Sequence, residues 1–295
     1  PRMYFYEHVL GWRTNRPNNH LVFGSAVHIA LEYLYINGFT AASVRDAYGL
    51  FMIEYRQSFP EHTDNLFEPK TPERFLSCLI DYVRTYQNDF RKYTVLYTEV
   101  TGRVALTPET NIIFKVDAIL RENSNGHYKT LEHKTKQGPF NAWWDAQWTL
   151  GIQPGTYTHA LYSLYEPELV DGVIMNGLGF KKTKKIDFDF HRVPIYKSPA
   201  QMQIWHNTIM YWINRMEDDF NTLANSSDSD NALTAFGLCP KSCTNWGRIC
   251  PYHDFCTSWP NPLQRCEEPP YGMKIEFWNP LEDLHSTHQM DLTGE

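Results

Sequence analysis

With 295 residues, 42% hydrophobic and 15% aromatic, the chain is long enough to bury a large core, and we expect one domain with insertions. Its formal charge of −7 excludes a surface that attracts polyanions everywhere, so a nucleic-acid partner would need a local basic patch or bound metal ions. No apolar run reaches the roughly 18 residues of a membrane helix and no signal peptide is visible, so we expect an intracellular, reducing compartment and no membrane partner.

Taken in chain order, HLVFGSAVHIALEYLYING (20–38) has apolar residues at helical spacing and closes on Asn37-Gly38, a natural helix stop. Residues 41–58 and 72–92 have the same amphipathic spacing, which predicts a helical insertion over 41–92. The period then changes. YTVLYTEVTGRVAL (93–106), NIIFKVDAIL (111–120) and HYKTLEHKT (127–135) are β-rich, and NSNG (123–126) is a hairpin signal. WWDAQWTLGIQPGTYTHALYSLYE (143–166) predicts a helix interrupted or started near Pro154, and strands follow in VDGVIMNGLGFKK (170–182) and KKIDFDFHRVPIY (184–196). Residues 199–224 form a long amphipathic helix, and ANSSDSDNA (224–232) is a polar break before a cysteine-rich C-terminal tail. This alternation predicts an α/β fold with helices flanking a mixed sheet.

The hairpin places chemistry. If Asn125 and Gly126 are the central turn residues, paired positions sum to 251, which sets Asp117 opposite Lys134 with Glu132 as the diagonal neighbour. Period-two alternation puts all three on one sheet face within roughly 5–8 Å. Two carboxylates and a lysine suit divalent-metal phosphodiester chemistry: hard oxygens hold Mg²⁺ or Mn²⁺, the metal lowers the pKa of a bound water, and the lysine stabilises developing charge. The same three residues also make an ordinary cross-strand salt bridge, worth roughly 0–1 kcal/mol. His28 and Glu32 lie at i, i+4 on the first long helix, as do Gln153 and Tyr157 downstream. In isolation the first pair is ordinary core packing and the second a polar helix edge.

In order along the chain, a G-x-x-x-H helix, a strand aspartate, an E-x-K strand and a Q-x-x-x-Y helix stand in FGSAVHIALE, FKVDAIL, LEHKT and QPGTY. This series resembles the PD-(D/E)XK nuclease superfamily, most closely its RecB-like branch, which includes the CRISPR-associated exonucleases and the AddB-type helicase-nucleases. The resemblance covers roughly residues 20–256 and implies a restriction-endonuclease-like mixed sheet flanked by helices. It implies His28, Asp117 and Glu132 as metal ligands, Lys134 as the catalytic lysine, Gln153 with Tyr157 as a supporting pair, and Glu32 and Glu99 as assisting groups. One departure is Lys115, two residues before Asp117, where such proteins often carry glycine.

Cys78 stands alone, whereas Cys239, Cys243, Cys250, Cys256 and Cys266 fall within 28 residues. Such clustering in a chain of this size points to a metal rather than to a disulfide framework. The spacing C-x3-C-x6-C-x5-C admits zinc or an iron-sulfur cluster and does not choose between them. Nucleases of the RecB-like kind often hold a 4Fe-4S cluster with one N-terminal and three C-terminal cysteines, and the latter resemble Cys243, Cys250 and Cys256. PRMYFYEHVLGWR at the start resembles the segment that follows the N-terminal cluster cysteine, so we expect the fourth ligand upstream of Pro1 or at Cys239.

Two weaker signals remain. Lys181, Lys182, Lys184 and Lys185 surround an expected strand turn, which suits either phosphate binding or a solvated tip. Trp143, Trp144 and Trp148 suit either base stacking or the core. We therefore expect a nuclease domain over 1–256, with a metal- or cluster-binding segment at 239–256 and a C-terminal extension at 257–295. Its substrate would be DNA with single-stranded ends or flaps, and its protein partners those of recombination, phage or CRISPR systems. The setting would be a cytoplasm, a host's if the gene is phage-borne. The competing expectations are a non-catalytic nucleic-acid or assembly module that keeps the fold, and a zinc-stabilised scaffold.

Overall fold

A computed structural model describes residues 1–183, 187–244, 249–279 and 288–293. In chain order its helices and strands are α1 (Arg2–Tyr4), β1 (Trp12–Thr14), α2 (Asn19–Asn37), α3 (Ala41–Arg56), α4 (Pro72–Thr85), α5 (Asp89–Lys92), β2 (Tyr93–Ala105), β3 (Asn111–Glu122), β4 (Tyr128–Gln137), α6 (Ala142–Thr149), α7 (Ile152–Leu164), β5 (Val170–Phe180), β6 (Phe188–Ile195), α8 (Pro199–Ala224), α9 (His253–Ser258), β7 (Met273–Ile275) and β8 (His288–Leu292). Two compact units emerge. One comprises Pro1–Pro17 with Asn207–Asn279, the other Asn18–His206 with Pro280–Glu295.

The larger unit carries a six-stranded mixed sheet in the order β6-β5-β4-β3-β2-β8, in which β4 and β5 run parallel, as do β2 and β8. β8 lies in what the sequence offered only as a C-terminal extension, yet it adds the sixth strand. α2 begins where the side chain of Asn18 accepts the N–H of His20, and it ends at Gly38, whose φ of +84° few other residues adopt readily. Its buried residues Phe23, Ala26, Val27, Ala30, Leu31 and Leu34 recur at the three- and four-residue spacing of a single helix face. That face shares one core with Ala47, Phe51 and Tyr55 of α3, Phe75 and Leu79 of α4, and Leu131 and Leu178 of the sheet. The expected helix over 72–92 divides in two, because Tyr86 leaves helical geometry and a second turn starts at Asp89.

The hairpin register differs from the expected one by two residues. Ala118 pairs with Leu131 and Arg121 with Tyr128, so paired positions sum to 249 and Asp117 falls level with Glu132, not Lys134. The turn explains the shift. Gly126, at φ +78°, closes a longer loop in which its N–H bonds to Glu122 O at 2.8 Å and Glu122 N–H bonds to His127 O at 2.8 Å. Because side chains alternate with period two, an even slip keeps Asp117, Glu132 and Lys134 on one face.

A buried polar network braces β4 from behind. Arg192 on β6 grips both oxygens of Asp89 at 3.0 and 2.6 Å, donates to Asn176 Oδ1 at 3.0 Å and lies 3.6 Å from the centre of the Tyr86 ring. Asn176 on β5 meets His133 Nδ1 at 2.7 Å, which ties the network to the strand of the E-x-K motif. Removing the guanidinium strands the buried Asp89 carboxylate, so Arg192→Met is expected to cost about 3–5 kcal/mol in urea unfolding. Part of that loss should return in the double variant with Asp89→Asn.

In the smaller unit Phe5, Tyr6, Trp12, Leu233, Ala235, Phe236 and Tyr252 form a core of their own. Arg2 is buried there and donates to the carbonyls of Phe236 at 3.0 Å and Leu233 at 2.7 Å, while β1 pairs with β7. Among the described residues no helix is long and apolar enough to cross a membrane.

Candidate active site

Five elements of the larger unit bring polar side chains to the point where β3 and β4 part. Their pairing ends at Ala118 and Leu131, and beyond it Asp117 Oδ2 accepts the backbone N–H of His133 at 2.5 Å. The side chain thereby takes over a ladder donor. From α2, His28 Nδ1 lies 2.9 Å from Asp117 Oδ1. On β4, Glu132 Oε1 receives Lys134 Nζ at 2.5 Å and Gln153 Nε2, from α7, at 2.9 Å. Gln153 also lies 2.6 Å from the Tyr157 hydroxyl, one helical turn on. The structure thus gathers His28, Asp117, Glu132, Lys134, Gln153 and Tyr157, all named from the sequence.

Glu99 is more central than the sequence suggested. The β2–β3 register on either side of it, Thr98 with Ala118 and Val100 with Val116, sets it beside Asp117. Its φ is +44°, a left-handed conformation that a glutamate adopts only at a cost of about 1–2 kcal/mol, and such strain is characteristic of functional positions. Ligand atoms of His28, Glu99 and Asp117 all lie within 4.8 Å of one another, and among the described residues no other such group of His, Cys, Asp or Glu converges so closely. Lys115 Nζ sits 3.2 Å from Glu99 Oε2. His28, Glu32, Glu99 and Lys115 line a cavity of about 290 Å³, and Glu32 accepts from Thr98 at 3.3 Å.

The electrostatics follow from burying three carboxylates together. Burial, and then the charge of Asp117, lifts Glu132 to about 7 and Glu99 to about 8. Burial also opposes the charge on Asp117, but the neighbouring His28 outweighs it and holds this carboxyl well below the usual range. For His28 burial again works against the charged form, yet Asp117, Glu132 and Glu99 raise the ring to about 9. Lys134 is raised despite burial, by Glu132 and Asp117, so it is an ammonium at neutral pH. His133 goes the other way, down to about 3, because it is buried.

These shifts fix a sign. His28 contributes stability fully below its ordinary 6.5 and loses it as pH rises through about 9. Glu132 and Glu99 keep protons that the unfolded chain has released, which also makes folding less favourable as pH climbs toward about 7 and 8. The opposite contribution of His133 is complete by its ordinary 6.5. The metal-free protein is therefore expected to lose melting temperature steadily from pH 6.5 to 9, and its affinity for Mn²⁺ should rise over the same interval as ligands shed protons. Calorimetric titration at three pH values checks this, and an affinity that does not change with pH would contradict it.

The other residues named from the sequence lie elsewhere. Lys181 pairs with Asp187 at 3.2 Å and Lys182 is exposed, while Lys184 and Lys185 lie outside the described residues. Trp144 is buried and Trp148 packs against the core 6.0 Å from Lys134 Nζ, which leaves Trp143, 84% exposed, as the open ring of the three. Cys239, Cys243, Cys250 and Cys256 line a cavity of about 520 Å³ within the smaller unit. Sequence reasoning missed Asn176 and Arg192. An asparagine inside the apolar strand VDGVIMNGLGF was the available signal, since a buried amide there needs a partner.

A strand aspartate, an E-x-K strand and a histidine helix meeting where a mixed sheet opens define a nuclease-type centre. The chain belongs to the PD-(D/E)XK nuclease superfamily, whose family model matches residues 1–257. No curated protein matches the sequence. Nucleases of this superfamily act on nucleic acid with divalent metals, and the donor set here fits such an ion. It offers hard oxygens and one imidazole, and Glu132 Oε2 is buried with no hydrogen-bond partner among the described residues.

Proposed function

We propose that this chain is a Mg²⁺- or Mn²⁺-dependent deoxyribonuclease of the RecB-like branch that trims single-stranded ends or flaps. The observation that carries this reading is Asp117, held between His28 and the N–H of His133 beside the unpartnered Glu132 Oε2. His28, Asp117 and Glu132 would hold the ion, which supplies an acidified water and neutralises phosphate charge. Lys134, already an ammonium, donates to the phosphate oxygen that gains charge in the transition state. Gln153 and Lys134 fix one oxygen of Glu132, leaving the other for a ligand, and Tyr157 holds Gln153 in place. The exposed ring of Trp143, on the helix whose Trp148 lies near Lys134, supports a preference for unpaired bases. End-labelled single- and double-stranded DNA, and RNA, incubated with Mg²⁺, Mn²⁺ or chelator, test the reading. Metal-dependent loss of single-stranded DNA is expected, and equal persistence of every substrate would overturn it.

The cysteine segment belongs to the same proposal. Cys243, Cys250 and Cys256, with Cys239 or an upstream cysteine as the fourth ligand, would hold a 4Fe-4S cluster. The thiols of Cys239, Cys243, Cys250 and Cys256 line one cavity, and Cys250 and Cys243 are close enough to Cys256 to help burial raise its thiol. Anaerobically purified protein is expected to be brown, with about four irons per chain and absorption near roughly 400 nm. Stoichiometric zinc in colourless protein would replace the cluster with a zinc site.

A further inference from the structure

Around Asp117 the site has two flanks of different character. On one, Glu132 keeps a buried oxygen, Oε2, with no hydrogen-bond partner among the described residues. On the other, Glu99 is directed at Asp117 by a strained backbone, and its Oε2 is met at 3.2 Å by the ammonium of Lys115. β3 supplies both Lys115 and Asp117, two positions apart and therefore on one face of the sheet. Ligand atoms of His28 and Asp117 come within 4.8 Å of Glu99, so without Lys115 that flank would offer the Glu99 carboxylate to a second divalent ion sharing Asp117 with the first. A cation entering there would have to share Glu99 with an ammonium already tethered to the strand.

We infer that Lys115 acts as a built-in cation on the Glu99 flank, so that the site holds one divalent ion instead of two. The inference rests on the nuclease reading above and extends it to the number of ions. Once metal binding has displaced the ligands' protons and left His28 neutral, three carboxylates faced by the two ammoniums of Lys134 and Lys115 carry one net negative charge, which a single divalent ion more than offsets. A second ion would leave the centre strongly positive and would stand beside a like charge. In this arrangement Glu99 is a positioning residue for Lys115.

The test is Mn²⁺ stoichiometry, read by calorimetry and by the electron paramagnetic resonance of unbound Mn²⁺, in otherwise intact protein. The wild type is expected to bind one Mn²⁺ per chain and Lys115→Met two. Lys115→Arg, which keeps the charge, should remain at one, and adding Glu99→Gln to Lys115→Met should return the count to one. Circular dichroism verifies that each variant is folded. One ion in both wild type and Lys115→Met, or two in the wild type, would overturn the inference while leaving the nuclease reading intact. No Mn²⁺ bound by the wild type would overturn both.

Discussion

Lys134→Ala is expected to lower phosphodiester cleavage by about 100- to 1,000-fold, the usual loss when one preorganised donor to a developing oxyanion is removed. The fold should survive. Lys134 is 28% exposed, and its main bond is to Glu132, which also receives Gln153. Without the ammonium, Glu132 moves further into the protonated form, because Lys134 is what draws its pKa down against burial and Asp117. The compensating proton keeps the stability loss below that of leaving a buried charge unpaired. Single-turnover cleavage at saturating Mn²⁺, alongside urea unfolding, separates the two effects. A wild-type rate in this variant would place the chemistry elsewhere.

Asp117→Asn should abolish cleavage and Mn²⁺ binding together. The carboxylate is the charge on which His28 and the N–H of His133 both converge. An amide oxygen can still accept the His133 N–H, so the Asn variant is expected to fold, whereas Asp117→Ala leaves that buried donor unmet at a cost of about 1–3 kcal/mol. Loss of the charge also lets Glu99 and Glu132 ionise more readily, since Asp117 is the second cause that raises both. Metal binding retained in the Asn variant would mean that Glu99 and Glu132, not Asp117, hold the ion.

What the sequence disclosed was local or periodic. The long helix over 199–224, the strands around FKVDAIL and LEHKT, and the shared face of Asp117, Glu132 and Lys134 all follow from period and alternation. The hairpin register did not follow, because NSNG permits both a two-residue turn and the longer loop that Gly126 closes, and only packing decides. The central place of Glu99 is not legible in the sequence, because it depends on a left-handed backbone that an alternating strand does not announce. Arg192, Asp89, Asn176 and His133 come from four strands and helices spread over more than a hundred residues. Their pairing is a product of topology, and the single legible trace was an asparagine in an apolar strand.

Anomalous scattering from crystals soaked in Mn²⁺ tests the central claim most directly. The expected result is a manganese peak within about 2.0–2.6 Å of Asp117 Oδ1 or Oδ2, with His28 turned from its ion pair into a ligand. Manganese found only at other carboxylates, with the Asp117 to His28 ion pair unchanged, would contradict it.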